Sequence, residues 1–381
     1  MNLSVKERAG RVALLATAMA CLVAGIWGGL LRLPLALPLP TEHANWITFH
    51  GPLMVGGFLG TLIGLERAVG LRAIWAYAAP VLTGVGLVAV AVGILDAWPR
   101  WVLVGGSGVF LLVSARVIAL QRALHNVVMG GGALAWVGGN VGWALGHPLP
   151  QVAPWWIGFL LLTIVGERLE LTRFQRPSRW SRPWLLAAVG VLGTGLITGW
   201  VAPRVGGWIL GAALLGMAAW LLTFDIARRT IRSEGLPRFM AVCLLTGYGW
   251  LLLTALLLPF HLPRAAGYGY DAALHAFFVG FVFSMIFGHA PVIFPAVLGL
   301  PIHFRATSYV PLVVLHVSLL LRVVGDLTDW PEGRIWGGAG NGLAVALFLI
   351  NNVTLIVLAP RSPSRKSAAE VARKPGRREG Q

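Results

Sequence analysis

Stretches of about 20 mostly apolar residues, the length a helix needs to cross the hydrocarbon core of a bilayer, recur twelve times along this 381-residue chain. They lie near 12–35, 46–66, 73–94, 100–120, 126–146, 153–170, 184–202, 205–224, 237–260, 271–296, 306–325 and 336–359. The joining segments are short and leave no room for a separate soluble domain. Composition agrees: residues AVILMFWYC make up 57% and charged residues only 12%, about half the charge content of a soluble protein. The expected fold class is all-α, a polytopic transmembrane bundle of about twelve helices. Residues 1–360 form one transmembrane domain, and 361–381 a disordered, basic cytoplasmic tail. The basic start at Met1–Arg11 runs into the first apolar stretch without a small-residue cleavage site, so it reads as a retained helix.

A formal net charge of +16 would suggest nucleic acid if the basic residues formed a patch. They sit instead in the gaps between apolar runs. With the N-terminus inside, 24 of the 30 Lys and Arg fall on inner segments or in the tail. Six remain outside: Arg32, Arg100, Arg204, Arg264, Arg322 and Arg334. The asymmetry follows the positive-inside rule, places both termini in the cytoplasm and removes the case for nucleic acid. Membrane lipid is the partner that the composition requires. Cys21 and Cys243 both fall inside apolar runs, so no disulfide framework or CxxC metal motif is present.

Three segments share a pattern. Phe58 on the second span leads to Glu66, Phe159 on the sixth to Glu167, and Phe281 on the tenth to His289, each eight residues on. The spans are four apart, which predicts three four-helix pseudo-repeats whose second, sixth and tenth spans line one centre. Compositional similarity among membrane helices is the other explanation.

Histidine is costly in a bilayer and marks function there. His125, His147, His261 and His303 fall near span ends or in loops, where interfacial roles suffice, and His43 is a spare ligand outside. His50 and His275 each lie about one turn inside the outer end of co-directional spans. Two imidazoles at matched depth can ligate a planar haem from both faces, with Gly51, Gly56, Gly57 and Gly280 leaving room; two unrelated interhelical hydrogen bonds would also account for them. His289 follows His275 by 14 residues, about 21 Å deeper on nearly the same face of a regular helix. That puts it level with Glu66 and Glu167, either as a proton path or beside carboxylates that simply pair with their neighbouring arginines. His316 lies near mid-membrane as a metal ligand, a proton-relay member or a packing group.

These residues resemble the NnrS family, haem- and copper-containing membrane proteins of the bacterial nitric-oxide response, and more distantly the large subunit of haem–copper oxidases and nitric oxide reductases. The stretch His275-Ala276-Phe277-Phe278-Val279-Gly280, with Met285 beyond it, is similar to the family's His-Ala-x-x-Val-Gly-x-x-x-x-Met. His50-Gly51-Pro52-Leu53-Met54 is similar to the oxidases' His-Gly-x-x-Met. Pro52 stands where the NnrS pattern has a second His, and the oxidases' His-His copper pair and their His-x-His on helix 10 are missing. The resemblance therefore implies an outer-side bis-His haem b, with His50 and His275 as ligands, more strongly than a haem–copper centre. Copper is the further metal the family carries, and His289 and His316 are the other candidate metal ligands in this chain. It also implies nitric oxide or quinol as partners, an oxidoreductase activity resembling nitric oxide reductase, and the bacterial inner membrane as location.

Haem propionates need cations, and two outer arginines flank the relevant spans, Arg264 and Arg322. Arg322 sits within an apolar helix, where an unpaired charge costs about 3 kcal/mol or more. It either meets the cofactor or, as a plain anchor, reaches headgroups or pairs with Asp326 one turn on. Two further readings stand beside the haem protein. One is a haem-free proton-coupled transporter using Glu66, Glu167 and His289; the other is a quinol-linked subunit with partner chains.

Overall fold

The computed structural model describes residues 5–35, 45–172, 178–298 and 304–357. Among them are helices and no strands, as the apolar runs demand: in lipid every backbone N–H and C=O must be satisfied within its own segment. Twelve long helices answer to the twelve expected spans. They are α1 (Val5–Leu30), α2 (Asn45–Leu71), α3 (Ile74–Ala91), α4 (Trp98–Leu120), α5 (Leu124–Ala144) and α6 (Leu149–Thr172). The second half holds α7 (Ser181–Val201), α8 (Pro203–Phe224), α9 (Gly235–His261), α10 (Tyr268–Ile293), α11 (Tyr309–Leu327) and α12 (Pro331–Val357). The expected tail, 361–381, lies outside the described residues. Short connections make successive helices antiparallel. Odd-numbered helices thus run from the terminal end of the bundle, where α1 begins, to the far end.

Eleven of the twelve are long and apolar enough to cross a membrane. The other, α5, is diluted by glycine and asparagine, and the reason lies in its packing. A Cβ on Gly132 would fall 2.9 Å from the Phe159 carbonyl, and one on Gly139 2.9 Å from the Trp155 Cβ. Small residues let α5 press backbone to backbone against α6, the usual source of cohesion where lipid and side chain are equally apolar. Its 21 residues reach about 31 Å at 1.5 Å per residue, enough to span. Two far-end turns close on glycines in the left-handed region. After α3, Gly93 has φ 91° and the Ile94 N–H bonds the Ala89 carbonyl at 2.9 Å; after α5, Gly146 has φ 91° and the His147 N–H bonds the Gly142 carbonyl at 3.0 Å. Only glycine enters that region without a steric cost.

Sequential neighbours pack in turn, with the α6–α7 contact the sparsest, and α12 returns to α1. Inside, α2, α6 and α10 meet, as the pattern shared by Phe58–Glu66, Phe159–Glu167 and Phe281–His289 predicts. Phe58 of α2 packs on Phe283 of α10 at 6.2 Å between ring centres, and Arg67 of α2 and Arg168 of α6 reach across to α6 and α10 respectively. Among the eleven most apolar spans, α6 and α10 are the most buried.

The central helices are not uniform. α2 widens into a π-helix over Leu53–Gly60 and α10 over Ala276–Val282, while α6 remains α-helical throughout. Each π segment opens within three residues of a histidine, His50 or His275. A π turn takes i→i+5 bonds and re-aims everything downstream, and such segments concentrate at functional sites. In α2 the sequence supplies a cause: Pro52 has no N–H to give, and the chain leaves helical angles at Phe49 (φ −105°, ψ 18°).

Candidate functional site

At the far end a cavity of about 590 Å³ opens between α1, α2, α6, α10, α11 and α12, within the usual range for small-molecule and cofactor sites. His50 and His275 both line it, so the pair singled out by depth does share one space. Trp156 of α6, Phe278 and Phe283 of α10 and Leu59 of α2 form apolar walls. Glycines of α1 make room beside α2: a Cβ on Gly25 would fall 2.7 Å from the Met54 sulfur, and one on Gly29 would touch the His50 ring at 3.8 Å.

His275 is held from its own helix. Its Nδ1 lies 2.8 Å from the Asp271 carbonyl one turn back, and 3.4 Å from the Asp271 carboxylate. With Nδ1–H donating there, Nε2 keeps a free lone pair, the arrangement second-shell partners impose on metal-binding imidazoles. Asp271 is fixed in turn. Its Oδ2 accepts from Arg322 Nη2 at 2.7 Å and lies 3.8 Å from Arg334. Asp326 completes the group, 3.4 Å from Arg334 and 3.8 Å from Arg322. The two arginines and two aspartates balance. Arg334 also lies 3.9 Å above the Tyr268 ring, a favourable cation–π distance.

His50 has different company. Its Nδ1 lies 3.4 Å from Nη1 of Arg32, an exposed side chain at the end of α1. Arg32 has no carboxylate partner among the described residues. Three of the six arginines outside the positive-inside majority, Arg32, Arg322 and Arg334, thus line one cavity. Arg322 does border the cavity and pairs more closely with Asp271 than with Asp326. Arg264, the other cation expected there, is not part of the lining.

The second cluster lies at the terminal end of the same three helices. Arg67 of α2 donates to Glu167 of α6 at 2.7 Å. Arg168 forms a two-bond fork with Asp225, which follows α8, at 2.7 and 3.0 Å, both side chains buried. His289 donates through Nδ1 to the Met285 carbonyl at 2.7 Å and faces Arg168 at 3.4 Å. Glu66 is within electrostatic reach of Arg67, Glu167 and His289. The three residues expected at one level, Glu66, Glu167 and His289, therefore do converge. Glu167 pairs across helices with Arg67, while its own neighbour Arg168 is taken up by Asp225.

His316 sits apart from both clusters. Its Nδ1 accepts from the Trp250 indole at 2.9 Å, and Nε2 is buried without a partner among the described residues. His147 bonds Gln151 at 3.0 Å and meets the edge of Trp200, while His125 lies 3.9 Å from Glu170. His43 and His303 lie outside the described residues. Among those described, no three His, Cys, Asp or Glu come together in a metal-binding group.

Sequence reasoning missed Asp271, Arg32, Arg334 and Asp225. Asp271 carried a signal, an acid four residues before a histidine on one helix face. Asp225 gave none, since its partner is 57 residues away. No curated protein matches the sequence. A family model described as a domain of unknown function, DUF8744, matches residues 11–357, from the first turns of α1 to the end of α12, and the chain belongs to that family.

Proposed function

We propose that the protein is a haem-binding integral membrane protein of NnrS-like type, holding haem b between His50 and His275 and serving nitric-oxide response or detoxification, or electron transfer. The observation that carries the reading is the cavity itself: two imidazoles from co-directional helices share one apolar-walled space whose lining includes three arginines. The donor set fits the group. His275 offers a free Nε2 on a ring fixed by Asp271, and Arg32, Arg322 and Arg334 are suited to two propionate carboxylates. When bound, haem supplies one-electron transfer and a position for small gaseous ligands. The residues would do the rest. His275 orients, the arginines hold the carboxylates, and Trp156, Phe278 and Phe283 keep water out.

In this reading the far end faces the periplasm and both termini the cytoplasm of a bacterial inner membrane, as the distribution of Lys and Arg argues. The test is the visible absorption spectrum of protein purified from haem-replete cells. A Soret band that is lost or shifted in His50→Ala and His275→Ala is expected. A colourless protein would overturn the reading.

The convergence of Glu66, Glu167 and His289 at the terminal end favours a second reading, a haem-free proton-coupled transporter. A colourless protein whose substrate uptake in vesicles collapses with the proton gradient, and is abolished by Glu66→Gln, would establish it instead.

A further inference from the structure

The two histidines that line the far-end cavity are not equivalent, and the difference is built from three independent features. The first is the partner of Nδ1. His275 Nδ1 donates to the Asp271 carbonyl at 2.8 Å, with the Asp271 carboxylate 3.4 Å away. Such a partner fixes ring orientation and raises the basicity of Nε2, and outer-shell partners of this kind are worth about 10–100-fold in metal affinity. His50 Nδ1 has the Arg32 guanidinium at 3.4 Å, a group that only donates and carries fixed charge, so it withdraws electron density where Asp271 supplies it.

The second feature is the backbone. His275 closes an uninterrupted helical segment, Tyr268–His275, before the π turn begins. His50 rides on Asn45–Pro52, which departs from helical angles at Phe49 and contains Pro52. The third is space. A Cβ added to Gly51, next to His50, would meet nothing within 4 Å.

Resting on the haem reading above, we infer that His275 is the permanent axial ligand and His50 an exchangeable one, its face of the cavity being a binding site for a small neutral diatomic molecule. The exchange is balanced. His50 gives up one donor bond, the diatomic forms one in its place, and no proton or electron is transferred. Arg32, free of carboxylates among the described residues, then turns its N–H groups to the incoming molecule.

The test uses full-length protein in detergent with carbon monoxide as the probe. His50→Ala is expected to keep its haem, change from a low-spin to a high-spin spectrum and bind carbon monoxide about tenfold or more tightly. His275→Ala is expected to lose about tenfold or more in haem occupancy. Wild-type protein supplies a measurement independent of both variants: reduced protein should bind carbon monoxide, and Arg32→Leu should shift the infrared C–O stretch of that adduct. Equal haem loss in the two histidine variants, or the reverse order, would overturn the inference while leaving a bis-histidine haem intact. So would a reduced wild-type protein that refuses carbon monoxide. Absence of a Soret band in wild type would instead remove the haem reading, and this inference with it.

Discussion

Arg168 and Asp225 show what a charge does when it is taken out of water. Both side chains are nearly inaccessible, and the pair is joined by two hydrogen bonds at 2.7 and 3.0 Å. Removing one partner strands the other, which costs about 3–5 kcal/mol, whereas replacing both by apolar groups is close to neutral. Arg168→Leu should therefore lower the detergent-solubilised unfolding temperature sharply, and Arg168→Leu with Asp225→Leu should recover most of the loss. Arg67→Leu removes a cross-helix pair whose side chains keep 23% and 32% of their exposure. For such a pair the expected loss is about 0–1 kcal/mol. Equal losses for the two single arginine variants would show that burial does not govern these pairs. A third residue-scale outcome concerns Asp271, which balances Arg322 and Arg334. Asp271→Ala should destabilise the fold, and Arg322→Leu in the same chain should partly restore it in thermal unfolding.

Helices of this molecule are set by two different demands. Crossing lipid requires length and apolarity, and packing requires small residues at chosen places. α5 satisfies the second at the expense of the first, through Gly132 and Gly139 against α6. Gly132→Leu should cost about 1–3 kcal/mol by forcing the two backbones apart. Gly108→Ala on α4, where a Cβ meets nothing within 4 Å, should be neutral or slightly stabilising, because Ala forms helix better than Gly. Thermal unfolding of both variants checks the pair. The α-helices themselves were legible from apolar run length alone. The π segments were not. Pro52 hints at a disturbance in α2, but Ala276–Val282 contains no proline, and no local preference distinguishes i→i+5 bonding there. Distances along α10 counted in regular turns, as between His275 and His289, cross this segment and so do not measure angle.

At the scale of the whole molecule, the alternation of twelve helices makes a prediction about sidedness. Reporter fusions after Ser178, between α6 and α7, and after Val357 should both report the cytoplasm, and one after Ala265, between α9 and α10, the opposite side. A periplasmic report from Ser178 would break the alternation. Apolar run length determined the helix count, and the placement of Lys and Arg sets the expected orientation, because both act one segment at a time on a chain entering a bilayer. Matched depth likewise brought out His50 with His275, and Glu66 and Glu167 with His289, since depth is a coordinate that sequence position encodes directly. Rotation about the helix axis and the choice of neighbour are not encoded that way. They depend on which glycines admit which backbone and on charges that meet only after packing. The links from Asp271 to Arg322, Arg32 to His50 and Arg168 to Asp225, 18 to 57 residues apart, therefore belonged to the tertiary structure, where the cost of leaving a charge alone in lipid selects its partner.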